Sequence, residues 1–292
     1  MSPWNACLLR LYYYGSYPYR WWRNRRAQAE HRAPLVVLFY HRIADDRAND
    51  WTTSNRAFAR QIAWLAGHFE LVSLAEVQKR IRGRDNSRPC ASITFDDGYA
   101  DNCRQAISLL VKERIPCTYF VTVRNVLSGE PFPHDLAQEH RCPPNNLEQL
   151  RAMSAAGIEI ASHGFTHIDL GGVTDAAELY AELVTSKHTL ERLLDRPIRY
   201  FAFPFGQHAN LSARAMAMAR QAGYQAVCSA YGGYNFPGGD PFHLQRIHVD
   251  ESMIRLKNRA TVDPRKLDVP RFSETVRSSN TPHDVQRHRP TP

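Results

Sequence analysis

From Pro34 onward, short runs of Val, Ile, Leu, Phe and Tyr alternate with longer stretches in which apolar residues recur every three or four positions. The short runs predict strands at 35–40, 91–95, 117–122, 158–162, 200–203, 224–229 and 243–249. The longer stretches predict helices at 58–68, 74–81, 102–114, 147–156, 176–194 and 213–222. Apolar faces are plain in Ile107, Leu110 and Val111, and again in Leu179, Leu183, Leu190, Leu193 and Leu194. Alternation of this kind implies a parallel sheet covered by helices. Seven such strands suit a closed or nearly closed barrel better than a pair of open sheets. No internal repeat is present. A loop at 128–146, punctuated by Pro131, Pro133, Pro143 and Pro144, is long enough to cover a site. Beyond about Lys257, Ser, Thr, Pro and charged residues replace the pattern. The expected organisation is an extension at 1–33, a barrel at 34–256 and a disordered tail at 257–292.

The unusual polar residues fall where the strands should end. His41 follows the first, Asp96 and Asp97 the second, His163 the fourth, and Phe205-Gly206 the fifth. In β/α barrels those ends form the active-site face. In Thr94-Phe-Asp-Asp-Gly-Tyr99, two adjacent carboxylates repel unless a cation binds one and leaves the other as a base. Asp-Gly is also ordinary turn chemistry. His163 and His167 are spaced so that both imidazoles would face one way on a helical turn, the spacing of zinc-binding helices. The companion Glu of the HExxH proteases is absent, and thirteen histidines give such spacings by chance as well. An Asp and two His would make a three-ligand set with open positions for water, the form of a catalytic site. In Arg199–Gly206, a Pro-Phe-Gly turn exposes a backbone N–H that either faces an oxyanion or simply closes a loop.

Taken in order, these elements resemble the polysaccharide deacetylase family, carbohydrate esterases with a NodB-type domain, over roughly residues 34–249. The resemblance implies a distorted (β/α)7 barrel that removes N-acetyl groups from N-acetylhexosamine-containing polysaccharide or oligosaccharide. It implies Asp96 as general base, and Asp97, His163 and His167 as ligands of a divalent cation. Zinc is the default for that donor set, with cobalt, nickel and iron open. Phe205 N–H is the implied oxyanion donor, and His248 the implied general acid, with His41 in reserve. The Tyr40-His41 pair resembles members acting on extracellular polysaccharides, and Asp169 matches a structural position. Two features depart from the family. Ala202 and Phe203 precede Pro204 where an arginine orients the base, so an orienting group must come from elsewhere; the direction of Arg199 is open. The usual Asp-Trp of the fourth motif is replaced by the Tyr231–Gly239 stretch. Two other readings stay open: hydrolysis of another C–N bond in a small molecule or nucleotide sugar, and a non-catalytic carbohydrate-binding barrel.

Composition changes the picture mainly at the chain ends. The 292 residues are 43% hydrophobic and 23% charged, as in ordinary globular proteins, with a net charge of +8. The first 34 residues hold six arginines against the single acid Glu30. No base-reading motif accompanies them, so a nucleic-acid partner is not expected. The mixture of aromatics and arginines at 4–32 suits either a bilayer interface or an arm packed on the barrel exterior. Arg10 interrupts the only apolar start, so no cleavable signal is expected, and no run nears the roughly 18 apolar residues of a membrane span. The expected location is cytoplasmic or peripheral to a membrane. Six cysteines without a CxxC pair read as free thiols, and the oligomeric state is left open.

Overall fold

Strands β1 (Leu35–Tyr40), β2 (Cys90–Phe95), β3 (Cys117–Val121), β4 (Glu159–Ser162), β5 (Tyr200–Ala202), β6 (Ala226–Cys228), β7 (His243–Leu244) and β8 (Ile247–His248) pair side by side, all in parallel. They come from a computed structural model that describes residues 3–267, 269 and 272. Every residue of β1, β2 and β3 is buried, as expected for parallel strands covered on both faces. The sheet order is β7-β6-β5-β4-β3-β2-β1-β8. β7 and β8 are the two halves of the single strand expected at 243–249. The first half pairs with β6 through His243 and Val227, the second with β1 through Ile247 and Leu38. The segment breaks at Gln245-Arg246 because it must change partners there, and the curled sheet meets itself as a distorted (β/α)7 barrel.

Alternate residues serve two cores, as the two-residue period of a strand requires. Val36, Leu38 and Tyr40 face the helical shell. Leu35 and Val37 face the lumen with Phe120, Ala161, Tyr200 and Cys228. Helix α4 (Leu74–Gly83) adds Leu74, Val77 and Ile81 to the lumen cluster, and Gln78 donates to the carbonyls of Gln225 and Pro241. It therefore plugs the end of the barrel where the strands begin, leaving chemistry to the other end.

The remaining named helices are α1 (Pro3–Gly15), α2 (Tyr17–Ala29), α3 (Asn55–His68), α5 (Ala106–Lys112), α6 (Leu147–Ala155), α7 (Ala176–Tyr180), α8 (Ser186–Leu194), α9 (Ala213–Gln221) and α10 (Met253–Ala260). Side-chain caps at Ser54, Ser73, Ser212 and Ser252, and a capping box at Asn146 and Gln149, fix where α3, α4, α9, α10 and α6 start. The helix expected at 102–114 is shorter. A 3₁₀ turn at Ala100–Cys103 precedes α5, because buried Asn102 turns inward to bond the carbonyl of His41 and the Tyr119 hydroxyl. The extension is helical, and it is tied to the barrel. Buried Arg20 donates to Asn258 O and Asn258 Oδ1, each at 2.9 Å, and Tyr12 donates to Asp263 at 2.8 Å.

The expected boundary at 256/257 is corrected. It falls inside α10, whose buried Leu256 and Ala260 continue with buried Val262 and a 3₁₀ turn at Pro264–Lys266. The apolar stripe there is too short to stand out against the surrounding basic residues. Apart from residues 269 and 272, the expected tail beyond 267 lies outside the described residues.

An aromatic cluster ties α3 to the strands just below the site: Phe58 lies 5.1 Å from Tyr40 and 5.8 Å from Phe95, which lies 5.6 Å from Tyr119. Phe58→Ala should lower the free energy of unfolding by about 3–5 kcal/mol. Urea denaturation monitored by circular dichroism measures it, and an unchanged midpoint would mean that α3 is not anchored here.

Candidate active site

After β2 the chain turns sharply, with Asp97 at φ +70° and Gly98 at φ +86°. A non-glycine residue in this region is uncommon and often marks a functional site. The turn brings Asp97 Oδ1 to 3.4 Å from His163 Nε2 and 3.3 Å from His167 Nε2. The three ligand atoms all lie within 4.8 Å of one another. Asp97 and His163 are buried, and Asp97 Oδ1 has no hydrogen-bond partner among the described residues. The two imidazole nitrogens lie beside it without being aligned to donate. His163 Nδ1 donates to the carbonyl of Ala202 at 2.8 Å, which leaves the Nε2 lone pair facing Asp97.

Burial opposes charge on Asp97, yet the two imidazoles and His41 hold its carboxyl well below the usual range. Burial likewise opposes charge on His163, but Asp96 and Asp97 outweigh it and raise its pKa. A proton and a cation therefore compete for His163 Nε2.

The two histidines are not on a helical turn, which corrects the sequence reading. Residues 163–167 form a loop that ends with His167 at φ +64°. A side chain absent from that reading shapes it. Buried Glu182 accepts from the N–H of Phe165 at 2.8 Å, from the N–H of Thr166 at 3.0 Å, and from the Thr166 hydroxyl. Glu182 lies in a π turn at Ala181–Thr185, a distortion that recurs at functional sites.

Asp96 has a different partner. Its Oδ1 and Oδ2 accept from Arg246 Nη1 at 2.6 Å and Nη2 at 2.8 Å, a bidentate pair. Arg246 is fully buried, donates through Nε to Ser229 O at 3.0 Å, and lies 4.7 Å from the Phe39 ring and 5.1 Å from that of Phe120. Burial pushes the Asp96 carboxyl up, but Arg246 and His163 pull it below its ordinary value, so it stays ionised.

Around this centre stand His41, Trp51, His248 and Phe205. His41 lies 4.7 Å from Trp51 and 5.7 Å from His248, ring to ring. His41 Nδ1 and His248 Nε2 are buried without hydrogen-bond partners among the described residues. Burial, with His41 and Arg259 nearby, pushes His248 down to about 3, and burial also lowers His41 despite Asp97 and Asp96. Both rings rest neutral. Phe205 has φ +60°, its half-exposed ring is 5.1 Å from His167, and its N–H bonds to no other described residue. The proline-rich loop does reach the site. Phe132 is 5.4 Å from His167, and the returning chain bonds back to Gly98 and Ala100. Buried Asp135 anchors it through the Tyr99 hydroxyl at 2.9 Å and Asn49 at 2.7 Å.

A model of the polysaccharide deacetylase family matches residues 83–227. The "Putative polysaccharide deacetylase YxkH" of Bacillus subtilis (strain 168) is 25% identical over 228 residues, covering 77% of this chain and 75% of that protein. The chain belongs to the polysaccharide deacetylase family. It is accordingly a hydrolase of carbon–nitrogen bonds other than peptide bonds. The chitooligosaccharide deacetylase of Bradyrhizobium sp. (strain ANU 289) is 28% identical over 116 residues, 39% of this chain and 45% of that one. Among solved structures, the Streptococcus pyogenes deacetylase PplD in complex with acetate superposes with a TM-score of 0.66 at 18% identity, over 79% of this chain and 99% of that one. IcaB from Ammonifex degensii gives 0.64 at 24% identity, over 78% and 97%. Both share the barrel fold.

Against the family pattern, two of this deacetylase's departures find physical explanations. The group that holds Asp96 is Arg246, not Arg199, which pairs with Glu159 at 2.6 Å at the surface. Arg246 lies two residues before His248 in the strand expected at 243–249, and its sign in the sequence is a cation inside an apolar strand. Within the Tyr231–Gly239 stretch, Gly232 N–H donates to the carbonyl of Arg246 at 3.1 Å, and Asn235 pairs with Leu35 at the plugged end of the barrel. Asp169 joins two loops, accepting from Gly171 N at 2.9 Å and Asn210 Nδ2 at 2.7 Å.

Arg246→Met leaves Asp96 buried without its counter-charge, which should cost about 3–5 kcal/mol at neutral pH. Because Asp96 titrates below its unfolded pKa of about 3.9, its stabilisation is present above that pH and is lost as pH falls through the folded value. Without Arg246 burial dominates, so the acid limb of the pH–rate profile should move upward. An unmoved limb in Arg246→Met would contradict the pairing.

Proposed function

We propose that this deacetylase removes acetyl groups from N-acetylhexosamine units of a polysaccharide or oligosaccharide, using one divalent cation held by Asp97, His163 and His167. The supporting observation is the division of labour between two adjacent carboxylates: Asp97 faces two imidazoles with an unbonded oxygen, while Arg246 holds Asp96 ionised. The residues fit a cation. An orphaned buried oxygen, one imidazole with its tautomer set by a backbone carbonyl and a second beside it form the three-ligand set of catalytic zinc sites. Bound there, a divalent cation supplies Lewis acidity toward water and the acetyl carbonyl. Zinc suits the donors best.

The chain's own groups do the rest. Asp96 takes the proton from the attacking water. The Phe205 N–H, on a left-handed backbone and unbonded among the described residues, donates to the developing oxyanion, and such a donor is typically worth about 3 kcal/mol. His41 or His248 returns a proton to the departing amine. Since both are neutral at rest, the donor must first gain that proton, and Asp97 and Asp96 favour its gain by His41. Half-exposed Trp51 and Phe205 flank the centre and offer apolar faces to a sugar ring.

Asp96→Asn should retain the cation but release acetate from N-acetylglucosamine oligomers about 10²–10⁴-fold more slowly. Undiminished release would remove Asp96 from the mechanism. A wild-type protein that hydrolyses formylated or cyclic amides but not these oligomers would redirect the substrate assignment.

A further inference from the structure

Among the described residues, thirteen large hydrophobic side chains are exposed, and eight of them lie between Trp4 and Trp22 on α1 and α2. Tyr12 and Tyr13 fold back onto the barrel, but most of the arm's rings do not. Of its residues only Tyr13 and Arg20 are buried, and the contacts of Arg20 with Asn258 and of Tyr12 with Asp263 fix which face turns inward. On the outward face of α1, Trp4, Leu8, Leu11 and Tyr14 form a stripe at helical spacing, 73%, 49%, 66% and 64% exposed. Trp21 and Trp22 of α2 are each 52% exposed. An apolar stripe turned away from its own core needs a partner.

The charge around the stripe indicates which partner. Residues 1–29 contain no acid, and Arg10, Arg23, Arg25 and Arg26 accompany the aromatics. The Arg25 guanidinium lies over Trp21 at 5.3 Å, so ring and cation share one location. Trp and Tyr beside arginine is the composition of a bilayer interface. A second copy would set the same arginines against each other.

We propose that α1 and α2 form a peripheral dock for an anionic bilayer, with Trp4, Leu8 and Leu11 at headgroup depth and Arg10, Arg23 and Arg25 against lipid phosphates. No described helix is long and apolar enough to cross a membrane, so the arm lies on the surface. α2 borders Ala33, Pro34 and Pro89, at the end of the barrel where strands begin. The docked barrel therefore presents its catalytic end away from the lipid, toward a polymer in solution.

Flotation of the full-length protein with vesicles tests this. Binding is expected to mixed phosphatidylcholine–phosphatidylglycerol vesicles, weakened by salt, and not to phosphatidylcholine alone. Arg10→Gln with Arg25→Gln should weaken binding about fivefold per arginine, and Leu8→Ser with Leu11→Ser should abolish it. These positions are exposed, so thermal melts and acetate release should stay at wild-type levels in both variants. Absent binding, or equal binding to both lipids without salt dependence, would overturn the proposal. So would self-association in sedimentation velocity that Leu8→Ser with Leu11→Ser abolishes, since a second copy would then cover the stripe.

Discussion

Two neighbouring carboxylates buried at one strand end cannot both stay charged without separate compensation, and the active site is arranged around that constraint. Asp96 is 2% exposed and Asp97 is 4% exposed. Their directions diverge because Asp97 takes a left-handed backbone conformation, which Gly98 continues. One carboxylate meets a guanidinium. The other meets two imidazole nitrogens and keeps an oxygen unbonded among the described residues, an arrangement into which a cation would fit.

Barrel closure and chemistry depend on the same residue. The segment that closes the sheet must let go of β6 before it reaches β1, and Arg246 sits at that break, where its side chain enters the lumen. Backbone strain is concentrated nearby. Asp97, His167 and Phe205 all have φ between +60° and +70°, at a cost of about 1–3 kcal/mol each. Glu182 over-determines the loop that carries His167 by accepting two backbone N–H groups and one hydroxyl.

The elements most legible in the sequence were those whose signal is local. Parallel strands buried on both faces read as continuous apolar runs, so six of the seven predicted strands match single strands to within two residues at either end. Asp96-Asp97 and His163–His167 stood out because each pair is adjacent or nearly so. What stayed hidden depends on contacts distant in sequence. Arg246 and Asp96 are 150 positions apart. Glu182 acts through a π turn that no periodicity announces, and Asn102 breaks an expected helix because its amide is needed elsewhere. The arm concealed its helices, because arginines and further aromatics interleave with its short apolar stripe.

The account rests on one ion bridging three side chains. An anomalous difference map from zinc-grown crystals, collected at the zinc edge, tests it most directly. The expected result is a single strong peak about 2.0–2.2 Å from a carboxylate oxygen of Asp97 and from Nε2 of His163 and His167. Ordered side chains at those positions with no peak between them, or zinc bound only elsewhere, would contradict it.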